Sequence, residues 1–316
     1  MGDFMKQKIL VFLCAALLLA GCGREEPVTA DAPGGAVNFT DDLGRTISLE
    51  EPERVAVLTG SFADIWCLAG GRDTLVAAAG DAWTSFELDL PEDVTDLGAI
   101  KQPNLELLFA AQPDLVIASS NTAAQVELLD VLEDAGLTAA YFNVTNFEEY
   151  LRMLDVCTRL TGDGAAYEEY GAALSAQIAA ARDRADGSRP TVLYIRATGS
   201  GCKVKNSRDT VLGEMLADLG CVNIADGGDT RLEQLSMEAI LASDPDHIFA
   251  VLQGADPTAA RNTLEAALLS DPAWQSLSAV REGRFHYMDH RLYNLKPNAR
   301  WGEAYEKLAD ILYPGG

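Results

Sequence analysis

Arg196 follows the apolar run Thr191-Val-Leu-Tyr-Ile195, and Arg291 stands just past Phe285-His-Tyr-Met288. A guanidinium beyond the end of a buried strand is well placed to grip an anion through paired N–H groups. It is equally able to bridge a local carboxylate, and this chain has many. It carries 48 Asp+Glu against 24 Lys+Arg, a formal net charge of −24. Lys203 and Lys205, in the stretch 199–205, add cations nearby, or form only a solvated loop face. Ser61, Phe62, Trp83 and Tyr293 occupy comparable places after apolar runs. Trp83 sits in a polar stretch, where an aromatic contacts a ligand about as often as it fills a core. In open α/β sheets ligands sit beyond the carboxyl ends of the strands, and that rule nominates these positions together.

Other chemistries are weakly represented. There is no Gly-x-Ser-x-Gly elbow. Gly199-Ser-Gly201 lacks both the third glycine of a dinucleotide fingerprint and the Lys-Ser/Thr of a phosphate loop. No catalytic residue and no cofactor are expected. A bare-metal cage wants several histidines, and the chain has three, His247, His286 and His290. His290 could ligate an iron, but a lone loop histidine is more often solvated. The strong negative charge argues against nucleic acid.

The elements around these residues alternate. Short buried-type strands are expected at Arg54–Leu58, Thr74–Ala79, Leu115–Ala118, Ala139–Val144, Thr191–Ile195, His247–Leu252 and Arg284–Met288. Helices are expected between them, including Thr122–Ala135, a pattern that implies parallel sheets covered by helices. The stretch Ala165–Ala185 is helical with no strand signal. An internal repeat marks two lobes. Residues 104–118 (Asn-Leu-Glu … Pro-Asp-Leu-Val-Ile-Ala) align without gaps on residues 236–250 (Ser-Met-Glu … Pro-Asp-His-Ile-Phe-Ala). Each copy opens with an N-cap residue and carries a glutamate, Glu106 or Glu238, in the first helical turn, where it favours the helix dipole.

The N-terminus has the order of an export signal. Lys6 and Lys8 precede the apolar run Ile9–Ala20, and Leu19-Ala-Gly-Cys22 follows. This tetrapeptide resembles the bacterial lipobox, which implies acylation of Cys22, removal of residues 1–21 and attachment to the membrane through lipid. Residues 22–37 are polar, with Pro and Gly, and are expected to be a flexible tether. Of the later cysteines, Cys67 and Cys157 lie in apolar helical patterns, and a Cys202–Cys221 bridge is open.

Glu106 with its Asn-Leu-Glu and Pro-Asp-Leu-Val-Ile context, Asn223-Ile224, Leu-Ser-Met-Glu238, Trp274, Ala279–Arg284 and Asn294–Trp301 together resemble the iron-siderophore, haem and vitamin B12 class of periplasmic binding proteins, over residues 38–314. The resemblance implies an α/β fold of two Rossmann-like lobes with parallel central sheets, joined by a single long α-helix, the class III solute-binding architecture. The expected division is an N-terminal lobe at 38–160, an interlobe helix at 161–188 and a C-terminal lobe at 189–316. It also implies capture of a ferric siderophore, haem or corrinoid in an interlobe cleft, on the outer face of the cell membrane. Delivery is then to an ABC transporter permease dimer that docks on Glu106 and Glu238, with the receptor a monomer. Within that resemblance, Ser61, Phe62, Trp83, Arg196, Arg291 and Tyr293 are the candidate ligand contacts. A metal-ion receptor and a chelate-modifying enzyme on the same scaffold are the competing readings.

Overall fold

The computed structural model describes residues 35–315 except 209, 229, 234, 235 and 255. The leader, Cys22 and the tether as far as residue 34 lie outside the described residues. The described chain begins with an antiparallel hairpin, β1 (Val37–Thr40) and β2 (Thr46–Leu49). There follow β3 (Val55–Val57), β4 (Leu75–Ala78), β5 (Thr95–Asp96), a small antiparallel pair β6 (Gly98–Ala99) and β7 (Gln102–Pro103), β8 (Leu115–Ser119) and β9 (Thr138–Phe142). The main sheet runs β5-β4-β3-β8-β9 with every pairing parallel. Counted within the lobe, that order is third, second, first, fourth, fifth, with its reversal between β3 and β8. In such sheets ligands bind at the carboxyl ends beside the reversal.

The second lobe contains β10 (Thr191–Thr198), β11 (Gly201–Lys205), β12 (Val222–Asn223), β13 (His247–Leu252) and β14 (Phe285–Met288). β10 pairs in parallel with β13 and β12, and β13 with β14, while β11 folds back antiparallel on β10. Residues 201–205, expected as loop, are therefore a strand that sets Lys203 opposite Arg196. The cause is visible in the residues. Cys202 and Val204 pack on the lobe's outer core, and the intervening lysines take the other face, a period-2 alternation that the flanking glycines disguised. The Cys202–Cys221 bridge that the sequence left open is not formed, and both thiols are free.

Strands and helices form where local chemistry favours them. β3, β8 and all but the last residue of β13 are buried throughout, as parallel strands covered on both faces must be. The helix Phe147–Thr161 is capped by Asn146, whose side chain accepts from Glu149 N, and is stopped by Gly162 at φ 72. Glycine alone takes that left-handed turn without strain. The expected helix Thr122–Ala135 is instead two short pieces, Ala123–Val126 and Leu129–Asp134. The break follows Gln125, whose amide is drawn inward.

The repeat has structural work in both lobes. Asp114 accepts from Glu53 N and Arg54 N ahead of β3, and Asp246 accepts from Thr191 N and Oγ1 at the start of β10. Each aspartate thus pins the first strand of its lobe. Before each Pro-Asp the chain reverses through a positive φ, 47° at Gln112 and 36° at Asp244.

The connection between lobes is helical from 164 to 182, with a π turn at Glu168–Ala172. The C-terminal helix Trp301–Leu312 packs along it. One hydrophobic core runs through this junction, from Val57 and Phe62 through Tyr150 and Leu174 to Val192, Phe249 and Trp301. The Trp301 ring meets Phe147 and Tyr150 at centroid separations of 5.9 and 6.2 Å. Lobes that share a packed core resist large relative rotation.

Candidate functional site

The carboxyl ends of both sheets border three adjoining hollows. The first, about 180 Å³, lies at the reversal between β3 and β8, bordered by Thr59, Ser61, Phe62, Asp81, Ser119 and Lys296, among others. The middle one, about 620 Å³, takes in Ser85, Gln253, His290, Arg291, Asn294 and Leu295. The third, about 410 Å³, lies against β10 and β11, bordered by Arg196, Cys202, Lys203, Lys205 and Gln253. Asn294 and Leu295 border the first two and Gln253 the last two, so the three form one groove of ligand size.

Most of the sequence candidates converge here. Ser61 is buried, 3.4 Å from the Thr59 hydroxyl, and Phe62 seals the floor at 2% exposure. Arg196 donates from Nη2 to Tyr194 Oη at 3.2 Å, while its Nε is buried with no hydrogen-bond partner. Arg291 crosses between lobes. Its Nη1 donates to Ser85 O, and its guanidinium lies 4.9 Å from the Phe86 ring centroid. His290 shares a 3.0 Å contact with Asn294 Nδ2, and burial keeps its ring below the usual histidine range.

Two candidates are placed differently. Tyr293 is a core residue, 2% exposed, with its hydroxyl donating to Ala304 O at 3.0 Å. Its place among ligand contacts is corrected, because the turn after β14 winds into a short helix, His290–Tyr293, that rotates it inward. Trp83, on the short helix Asp81–Thr84, is half-buried and packs on the shared core. Its neighbours Asp81, Thr84 and Ser85 are the ones that border the groove.

Sequence reasoning missed Lys296, Gln125 and Asn298. Asn298, fully buried at φ 52, donates to Ser61 O at 2.9 Å and to Asp64 Oδ2 at 2.8 Å, so the C-terminal lobe holds the groove floor of the other. Gln125 donates to Leu58 O and Ile100 O at 2.7 and 3.0 Å and accepts from Ser119 N at 2.7 Å, tying β3 to β8 beneath the groove. A lone Gln or Asn in a mixed stretch carries no local signal of such a role.

Asp81 accepts from Gly60 N at 2.8 Å. The approach is so close that a Cβ on Gly60 would meet Ala82 N at 2.5 Å, which is why glycine stands there. Burial raises the Asp81 pKa to about 6, partly offset by the Gly60 hydrogen bond. The folded chain therefore binds a proton more readily than the unfolded one. The stability this contributes is full below about pH 4 and is lost as pH rises to about 6. Asp81→Asn keeps an acceptor for Gly60 N and removes the titration. Its melting temperature is expected to exceed the parent's at pH 8 and to match it at pH 4, measured by calorimetry at both.

Glu106 and Glu238 lie outside the groove. Each is exposed in the first turn of its helix, after Asn104 and Ser236, whose side chains cap Leu107 N and Ala239 N. Among the described residues no cluster of three or more His, Cys, Asp or Glu could hold a metal ion, and no helix is long and apolar enough to cross a membrane.

Two α/β lobes on one helical connection, with a groove at the facing strand ends, define a solute-binding architecture. The chain belongs to the periplasmic binding protein family, whose model matches residues 55–292. It is a binding protein, not an enzyme. Among its relatives in Bacillus subtilis (strain 168), an iron-uptake system-binding protein is 26% identical over 318 residues, covering 95% of this chain and 94% of the relative. The Fe(3+)-citrate-binding protein YfmC is 24% identical over 292 residues, covering 88% and 87%. The fold matches Staphylococcus aureus SirA complexed with staphyloferrin B at a TM-score of 0.66 and 20% identity, over 88% of this chain and 97% of that one.

Proposed function

We propose that this protein is a lipid-anchored extracytoplasmic receptor that captures an anionic iron chelate and delivers it to an ABC importer. One observation carries the reading. In a chain of net charge −24, Arg196, Lys203, Lys205, Arg291 and Lys296 all border the groove. Concentrated positive charge in a concave site attracts and orients anions, even on an acidic protein. The relatives named for ferric citrate and iron uptake, and the fold shared with a siderophore complex, point the same way. A ferric siderophore rich in carboxylates fits best. Haem offers two propionates, but His290, the histidine on the groove, is engaged with Asn294. A corrinoid presents amides to these cations and fits them least.

Acylated Cys22 and the tether would hold a monomeric receptor near its permease at high effective concentration. Glu106 and Glu238 would present one acidic contact from each lobe to the permease dimer. A thermal-shift and fluorescence panel of ferric citrate, haemin, ferrioxamine B and cobalamin tests the capture. Ferric citrate is expected to raise the melting temperature by linkage, and Arg196→Gln to weaken its binding by about tenfold or more, the worth of one charge-assisted pair. Stabilisation by cobalamin alone, or by none of the four, would overturn the reading.

A further inference from the structure

Lys296 stands apart from the other cations of the groove. It lies at the inner end, in the smallest hollow, with the hydroxyl-bearing residues Thr59, Ser61, Ser119 and Thr122 around the same space. It is half-buried, yet among the described residues it makes no hydrogen bond and no ion pair. The charged groups around it are accounted for. Glu149 accepts from Asn143 Nδ2, Thr145 N and Thr145 Oγ1. Asp81, on the same hollow, accepts from Gly60 N. Arg196, from β10, adds repulsion. An ammonium withdrawn from water without a partner is unfavourable unless something else supplies the counter-charge. A structural lysine would have taken one of these carboxylates. This one faces a cavity.

Resting on the receptor reading above, we propose that Lys296 is a carboxylate anchor: it takes one carboxylate arm of the captured chelate into the inner hollow, so that the protein selects polycarboxylate chelates over those whose iron is wrapped by neutral groups. The outer arginines and lysines grip the body of an anionic chelate, and the inner hollow, at about 180 Å³, admits an arm and excludes the iron centre. The hydroxyls donate the remaining hydrogen bonds to the carboxylate.

The titration of the site supports this. Burial lowers the Lys296 pKa to about 8, with Glu149 opposing and Arg196 adding to the fall. The empty site therefore loses its proton near pH 8, and a bound carboxylate favours the charged form. By linkage the affinity for a carboxylate arm is highest below pH 8 and declines above it, by about tenfold between pH 7 and pH 9.

The test compares the parent chain with Lys296→Gln and Lys296→Arg by fluorescence-quenching titration at pH 7 and pH 9. The probes are ferric citrate, ferrioxamine B and haemin, with melting temperatures confirming that each variant is folded. The parent is expected to bind ferric citrate better than ferrioxamine B and to weaken about tenfold at pH 9. Lys296→Arg should keep the pH 7 affinity and, being charged throughout, report only the pH dependence of the chelate itself. Lys296→Gln should bind ferric citrate at least about tenfold more weakly at pH 7, as expected for one lost charge-assisted contact, and leave ferrioxamine B unaffected. If Lys296→Gln matches the parent in affinity and pH profile, the anchor is wrong while the receptor stands. A parent that prefers ferrioxamine B also overturns the anchor alone. If no probe quenches the parent, the receptor reading itself falls, and the anchor with it.

Discussion

A chain carrying Glu106→Lys and Glu238→Lys together is expected to bind its chelate as tightly as the parent and to lose import by at least about a hundredfold. Both side chains are exposed, on opposite copies of the repeat, and neither borders the groove. Each sits in the first turn of a capped helix. Reversal there costs about 1 kcal/mol of helix-dipole interaction per site, a small part of the 5–15 kcal/mol that holds a typical domain. Close charge pairs across an interface couple by about 1.5–7 kcal/mol, so replacing two attractions by two repulsions outweighs the fold effect. Single reversals should rank unequally. Leu107 and Phe109, beside Glu106, are 41% and 38% exposed, whereas their counterparts in the repeat, Ala239 and Leu241, are buried and half-buried. The N-terminal lobe thus offers apolar contact as well as charge, and the Glu238 reversal, with charge alone to lose, should leave more residual docking than the Glu106 one leaves to its partner lobe. Whole-cell uptake and direct chelate titration of each variant decide this. Import that survives the double reversal removes the docking role.

Gln125→Leu is expected to destabilise the protein by about 3–5 kcal/mol. The substitution leaves Leu58 O, Ile100 O and Ser119 N without the partners they have at 2.7, 3.0 and 2.7 Å. Buried polar groups that lose their partner cost about 1–3 kcal/mol each. Leu58 and Ser119 stand at the ends of β3 and β8 at the reversal of strand order, and Ile100 in the turn between β6 and β7, so the groove floor loosens along with the fold. Gln125→Glu separates the hydrogen bonds from the volume. It keeps the acceptor for Ser119 N but turns a carboxylate toward two carbonyls, so its deficit should grow as pH rises above the carboxylate range. Chemical denaturation at pH 5 and pH 8 measures both variants. A Gln125→Leu chain within 1 kcal/mol of the parent would show that water replaces the amide.

The architecture was legible in the linear chain because its signals are local. Apolar runs such as Leu115–Ser119 are buried along their whole length, and glycines end helices where a left-handed residue is needed. The repeat announced two lobes, and the same repeat explains why Asp114 and Asp246 pin equivalent strands. The rule placing ligands beyond strand ends located Ser61, Phe62 and Arg291 on the groove, since it depends on sheet topology and not on side-chain detail; Arg196 reaches the groove too, but from within β10, which runs on to Thr198.

Side-chain direction and long-range partnership were beyond that reach. Tyr293 and Trp83 follow strands as ligand contacts would, yet short helices turn one into the core and pack the other against it. A rotation of a single helical residue, about 100°, separates groove from core, and no composition rule resolves it. Lys203 and Lys205 look like loop cations until β11 pairs with β10. Lys296, Asn298 and Gln125 gain their meaning from partners far along the chain, Asn298 from Ser61 at a separation of 237 residues. Burial, and with it the shifted pKa of Lys296 and Asp81, is a property of how distant segments close over a group. For Lys296 it exists only once the C-terminal segment has closed against the N-terminal lobe.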